Sequence, residues 1–218
     1  MNQSGEVNLL ADKAQQALWA ALRGGQLQAG QFLSMAQLVQ VLDCPIAAIR
    51  DAVKQASAHG LLSTLPKRGI QVMEARPGVI RDCLDFRMAL DQEGARRRIA
   101  SGGIEGLDDL RAQHVRLQDA ARSGKDPQLS SRAIEVDLSL HDFLARGLGN
   151  GQLIKSYDAN RMRIAIIQNA RPFLHVRIVS AMQEHLAVID ALQQGDTGAT
   201  IEAIRYHCEQ TLSWWGVA

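Results

Sequence analysis

The hydrophobic period of this chain changes once, and that change restricts it to a narrow set of folds. From Leu9 to Leu22 apolar residues recur at helical spacing (Leu10, Ala14, Ala17, Leu18, Ala21, Leu22), and Gly24-Gly25 stops the pattern. Residues 1–8 read as a polar, poorly ordered lead. Ser34-Met35-Ala36-Gln37 is a capping-box signature, in which the serine and glutamine side chains satisfy orphan backbone N–H groups. It opens a short helix to about Leu42. Pro45 fits the first turn of a third helix, running to about His59, with Gly60 just past its end. Then Leu61–Leu65 and Gly69–Met73 form strand-like runs around the basic turn Pro66-Lys67-Arg68. Three short helices followed by a hairpin with a basic tip predict a winged helix-turn-helix over residues 9–75.

Ala75-Arg76-Pro77-Gly78 reads as a linker, and beyond it every long segment has the helical period. The expected helices span roughly 79–101, 104–123, 129–147, 151–170, 173–194 and 197–214. They are separated by Gly102-Gly103, Ser123 to Pro127, Gly147 to Gly151, Arg171-Pro172 and Gly195-Asp196. The expected fold is therefore mostly α. An N-terminal winged helix-turn-helix with a small β-hairpin precedes a C-terminal antiparallel bundle of about six helices over 78–218. Aromatic residues make up only 4% of the chain, which also favours helices over sheets.

A net charge of +1 gives no global attraction to nucleic acid or membrane, so any such binding must be local. Cys44, Cys83 and Cys208 are odd in number, far apart and without a C-x-x-C spacing, which points to reduced thiols and a cytoplasmic location. No stretch is long and apolar enough to span a bilayer, and the N-terminus lacks the basic and apolar regions of a signal peptide.

Local charge does appear in the first domain. In a helix-turn-helix the second helix of the motif enters the major groove. Here that helix starts at Pro45 and carries Arg50 and Lys54, while Lys67 and Arg68 at the hairpin tip are placed to reach phosphates or the minor groove. Taken singly, these are ordinary solvated charges. The order helix, helix, hairpin is what points to operator DNA.

The second domain carries a different signal. Asp137 and His141 lie at i and i+4, so a helix stacks them on one face. His185 and His207 each fall within a helical apolar stripe. A buried set of one carboxylate and three imidazoles is costly unless a metal or hydrogen bonds satisfy it. His59, His114 and His175 read as hydrogen-bonded core or surface histidines, and Cys208, beside His207, points elsewhere on its helix. Glu184 is next to His185 but faces another direction. Read alone, the four-residue set suits a sensor site or a metal-dependent hydrolase or lyase in which the metal activates water.

The first domain resembles the winged helix of GntR-family regulators. The residues that carry this are Leu42-Asp43-Cys44-Pro45-Ile46-Ala47-Ala48-Ile49-Arg50-Asp51-Ala52-Val53, then His59-Gly60-Leu61 and Lys67-Arg68-Gly69. Gly30-Gln31-Phe32-Leu33-Ser34 matches the segment upstream. Ile46 stands where the family has a DNA-contacting arginine; it retains the capacity to touch a thymine methyl. The second domain resembles the FCD domain of the FadR subfamily. It carries Asp137-Leu138-Ser139-Leu140-His141, Gly149-Asn150-Gly151-Gln152-Leu153, Glu184-His185-Leu186-Ala187-Val188-Ile189 and finally His207.

That resemblance implies a homodimeric, ligand-responsive regulator on a pseudo-palindromic operator. A divalent metal would be held by Asp137, His141, His185 and His207: zinc first, with nickel, manganese or iron as alternatives. A small carboxylate effector would complete its shell. Arg87, in Phe86-Arg87-Met88-Ala89-Leu90-Asp91, resembles a family motif and would pair with that carboxylate, with Arg161 and Arg163 as further candidates.

Overall fold

The computed structural model describes residues 3–124, 129–171 and 174–218, without the side chains of 3–8 and 131. The expected breaks at Lys125-Asp126-Pro127 and Pro172, and the expected helix start at 173, lie outside the described residues. The chain forms two compact units. One holds the residues up to Val79 together with Arg161–Ala170, the other Ile80–Asn160 with Arg171–Ala218.

The first unit contains α1 (Gln3–Arg23), β1 (Phe32–Leu33), α2 (Met35–Leu42), α3 (Ile46–Ala58), β2 (Leu62–Leu65) and β3 (Gly69–Val72). α1 begins at Gln3, which corrects the expected unstructured lead: once nucleated, a helix adds residues at little cost. Ser34 caps α2 with the expected box. Its Oγ accepts from the Gln37 N–H at 3.2 Å, and Gln37 Oε1 accepts from the Ser34 N–H at 2.8 Å. Pro45 stands just outside α3 as its N-cap, where a missing N–H is no loss.

The expected hairpin is part of a three-stranded antiparallel sheet of order β1-β3-β2, with Leu33 opposite Ile70. β1 has two residues, too few for alternation to show in the sequence. Gly69 is required where β1 meets β3. Its φ is +94°, and a Cβ there would sit 2.6 Å from the Leu33 carbonyl oxygen.

The core of this unit packs Leu18, Leu22, Leu38, Ile49 and Ile70 with Met162 and Ile166 from the distant stretch 161–170. That stretch also satisfies helix ends, whose last carbonyls have no partner within the helix. Asn169 Nδ2 donates to the carbonyls of Leu22 (3.2 Å) and Arg23 (2.9 Å) at the end of α1. Arg163 donates from Nε (3.2 Å) and Nη2 (2.8 Å) to the His59 carbonyl at the end of α3.

The second unit is built from α4 (Pro77–Ser101, belonging here from Ile80), α5 (Leu107–Ser123), α6 (Leu129–Arg146), α7 (Gly151–Asn169, belonging here up to Asn160), α8 (His175–Gln193) and α9 (Thr197–Trp214). Pro77 opens α4, where its fixed φ suits a first turn. α5 starts three residues later than the apolar pattern suggested, because Gly106 takes a left-handed φ of 83° just before it.

α8 is the central helix, packed on α5, α6 and α9. Leu140, Leu144, Ile189, Leu192 and Ile204 form one part of the core. α4 and α6 approach at Gly94, where a Cβ would lie 2.2 Å from the Leu144 carbonyl oxygen. Asp196 caps α9 by accepting from the Ala199 N–H at 2.9 Å. The three cysteines are buried and form no disulfide. Among the described residues no helix is long and apolar enough to cross a membrane.

Candidate metal centre

Asp137 and His141 lie one turn apart on α6, His185 comes from α8 and His207 from α9. One donor atom from each falls within 4.8 Å of the other three, and all four side chains are buried. His185 Nε2 lies 3.2 Å from His207 Nε2, and Asp137 Oδ1 lies 3.6 Å from His185 Nε2. His141 Nε2 is sealed from water and has no hydrogen-bond partner.

Behind each imidazole stands a second group, bonded to Nδ1. Asp91 Oδ2 on α4 accepts from His141 Nδ1 at 2.7 Å, and Glu184 Oε2 on α8 accepts from His207 Nδ1 at 2.7 Å. His114 on α5 donates from Nδ1 to the Leu110 carbonyl at 2.8 Å, which leaves its Nε2 to accept from His185 Nδ1 at 3.1 Å. These partners assign the proton of all three ligand rings to Nδ1. In the neutral form of the rings, three Nε2 lone pairs then face one small volume.

Burial, reinforced by the Arg87 charge, holds His141 well below the usual imidazole range. Burial and then the neighbouring His207 do the same to His185. Both rings are therefore neutral, the state that binds metal. Burial pushes the Asp91 carboxyl up to about 7, against the pull of Arg87. Burial also raises Glu184, but hydrogen bonds from His207 and Arg177 outweigh it and leave the carboxyl below its ordinary value.

The donor set fits a divalent ion. Two nitrogens bound to one zinc at about 2.0–2.1 Å and a tetrahedral angle lie about 3.4 Å apart. The His185 and His207 Nε2 atoms are 3.2 Å apart. With both rings protonated at Nδ1 neither of these atoms can donate to the other, and the His141 Nε2 has no hydrogen-bond partner.

Arg87 is buried beside the cluster, its Nη2 3.4 Å from His207 Nε2 and its Nε 3.9 Å from Asp91 Oδ2. The structure thus brings the first expected effector arginine to the site. Arg161 and Arg163 fall in the stretch that belongs to the first unit. Arg161 is half-buried there. The Arg163 guanidinium is engaged at the end of α3, where it donates to the His59 carbonyl. Cys208 Sγ points to the Leu84 carbonyl at 3.8 Å, away from the four ligands.

On the first unit Ile46, Arg50 and Lys54 are exposed at i, i+4 and i+8 of α3, one face of the helix. Lys67 and Arg68 are exposed at the β2–β3 turn, and the Arg68 guanidinium lies 5.4 Å from the Phe32 ring centre.

Residues 82–210, more than half of the chain, match the FCD domain. The chain belongs to the FCD-domain family. This FCD protein is 25% identical over 214 residues to the uncharacterized HTH-type transcriptional regulator BphR of Paraburkholderia xenovorans (strain LB400), covering 95% of the chain and 85% of the relative. It is 22% identical over 184 residues to a probable D-xylose utilization operon transcriptional repressor of Paenarthrobacter nicotinovorans, covering 84% and 78%.

Among solved structures its fold is similar to E. coli McbR/YncC, with a TM-score of 0.78 at 16% identity over 95% of this chain and 97% of that one. It is also similar to a putative transcriptional regulator GntR from Rhodococcus sp. RHA1, with a TM-score of 0.75 at 18% identity over 95% and 98%. The FCD protein is a transcription regulator with a GntR-like fold.

Three residues of the regulator's site carried no functional reading in the sequence. His114 falls in the apolar stripe Leu110, His114, Leu117, Ala121, and a titratable residue in such a stripe was the available signal. Asp91 lies four residues after Arg87, a spacing that reads as an ordinary helix pair. Glu184 was expected to face another direction than His185, yet its carboxylate reaches His207 on α9, which packs on α8. Asp91 and Glu184 are each engaged by an imidazole N–H.

Proposed function

We propose that this regulator senses a small organic or sugar acid through a divalent ion held by Asp137, His141, His185 and His207. The observation that carries the reading is the buried, partnerless His141 Nε2 facing the same volume as the other two Nε2 atoms. Three imidazoles and one carboxylate suit zinc, and also nickel, manganese or iron. When bound, such an ion supplies an electrophilic centre whose remaining positions an anionic oxygen can fill.

Arg87 supports the acid as effector. A buried guanidinium beside a dication is repelled by it, and a carboxylate between the two offsets both charges. A guanidinium fork suits that carboxylate. Asp91, His114 and Glu184 orient the three rings. The protein acts in the cytoplasm as a homodimer on a pseudo-palindromic operator, one winged helix per half-site. Ile46, Arg50 and Lys54 face base edges, and Lys67 and Arg68 reach phosphates or the minor groove.

The test begins with protein purified without added metal or chelator. Elemental analysis should find about one divalent ion per chain. Operator DNA selected from random sequence should bind with an affinity that changes on addition of sugar acids or dicarboxylic acids. A protein free of metal that selects no DNA sequence, with or without these acids, would sink the reading.

A further inference from the structure

The three ligand imidazoles are not supported alike. His141 and His207 each donate to a carboxylate, at 2.7 Å in both cases. His185 faces another imidazole, His114, at 3.1 Å with the rings tilted by 53°. His114 is fully buried on α5, and among the described residues its hydrogen-bond partners are the Leu110 carbonyl and His185. A carbonyl oxygen can only accept, so the single proton of a neutral His114 ring sits on Nδ1. Its Nε2 is then an obligatory acceptor toward His185.

We infer that His114 is the positioning residue of the metal centre: it locks His185 in the Nδ1–H tautomer and aims its Nε2 at the ion. This rests on the metal reading proposed above. The lock sits one helix away from the ligand itself and is anchored within its own helix, because Leu110 is the residue one turn before His114. Loss of the lock frees His185 to place its proton on Nε2, which removes one of the donors to the ion. Partners in this position are worth about 10–100-fold in metal affinity.

The experiment compares the full-length protein with His114→Gln, whose side-chain oxygen can still accept, and His114→Leu, which cannot. Nitrogen-15 NMR of the metal-free protein reads the His185 tautomer, and competition with a chromophoric chelator reads zinc affinity. The wild type and H114Q should both show His185 protonated at Nδ1, with zinc affinities within a few-fold of each other. H114L should show the Nε2–H tautomer and an affinity lower by about 10–100-fold. Circular dichroism checks that each variant is folded, and an unfolded H114L leaves the wild-type and H114Q tautomers to decide.

His185 protonated at Nε2 in the wild type overturns the lock. So does a folded H114L that keeps the wild-type tautomer and affinity. A wild type that binds no zinc yet shows Nδ1–H, lost in H114L, overturns the metal reading and upholds the lock.

Discussion

A ring nitrogen sealed from water with no partner costs about 1–3 kcal/mol, and His141 Nε2 is in that position. In the proposed reading a cation takes this lone pair. His141→Ala should therefore lower metal affinity by more than the roughly 100-fold that a supporting residue can account for. Chelator competition measures this, and the rise in Tm on adding zinc to the wild type should vanish in the variant.

Glu184 behaves differently because it has two duties. It accepts from His207 and also pairs with Arg177, whose Nη2 donates at 3.0 Å, and both side chains are nearly buried. Glu184→Gln leaves the Arg177 charge without a counter-ion, at a cost on the order of 3 kcal/mol in urea unfolding even without metal. Asp137 and His141 were legible as a pair because i and i+4 share a helix face, and His185 and His207 because each interrupts an apolar stripe. Asp91, His114 and Glu184 were not, because a supporting group is defined by which helix lies next to its own, and spacing along one helix does not reveal that.

At the scale of elements, the site depends on how closely α4 meets α6. Asp91 on α4 bonds His141 on α6, and Gly94 is one turn further along α4, where a Cβ would collide with the Leu144 carbonyl at 2.2 Å. Gly94→Ala must push the two helices apart. Overpacking of this kind costs about 1–3 kcal/mol, and the same displacement stretches the Asp91–His141 bond. We expect a lower urea midpoint together with weaker metal binding. A change in stability with metal affinity intact would show that the helix spacing does not set the site.

The helices themselves were legible from apolar period and from the glycines that end them. α9 matches its expected span of 197–214, set by Asp196 before it and Gly216 soon after. What period could not show was β1, at two residues, and the assignment of residues 161–170 to the winged-helix unit. A helical repeat says which residues are buried and is silent about what they are buried against.

For the molecule as a whole, a net charge of +1 means that DNA affinity comes from a local patch. Arg50, Lys54, Lys67 and Arg68 are exposed on the α3 face and the β2–β3 turn, and in the proposed reading they form that patch. Each phosphate contact contributes about 0.9 to the slope of log affinity against log salt. A double variant, Lys67→Ala with Arg68→Ala, should therefore flatten the slope by about 2 per winged helix. Fluorescence anisotropy over a salt series measures it. Ile46→Ala removes no charge, so its effect should appear as altered preference at one base position with the salt slope unchanged.

Asp137→Asn should then separate reading DNA from sensing acid. The substitution is far along the chain from the charged patch and removes the one carboxylate among the four ligands. Operator affinity without effector should keep the wild-type salt slope. The change in affinity caused by added acid should shrink or disappear, because an acid that is bound through the ion can act only as strongly as the ion is held. If Asp137→Asn responds to acid as the wild type does, the acid is recognised without the metal, and Arg87 becomes the residue to substitute next.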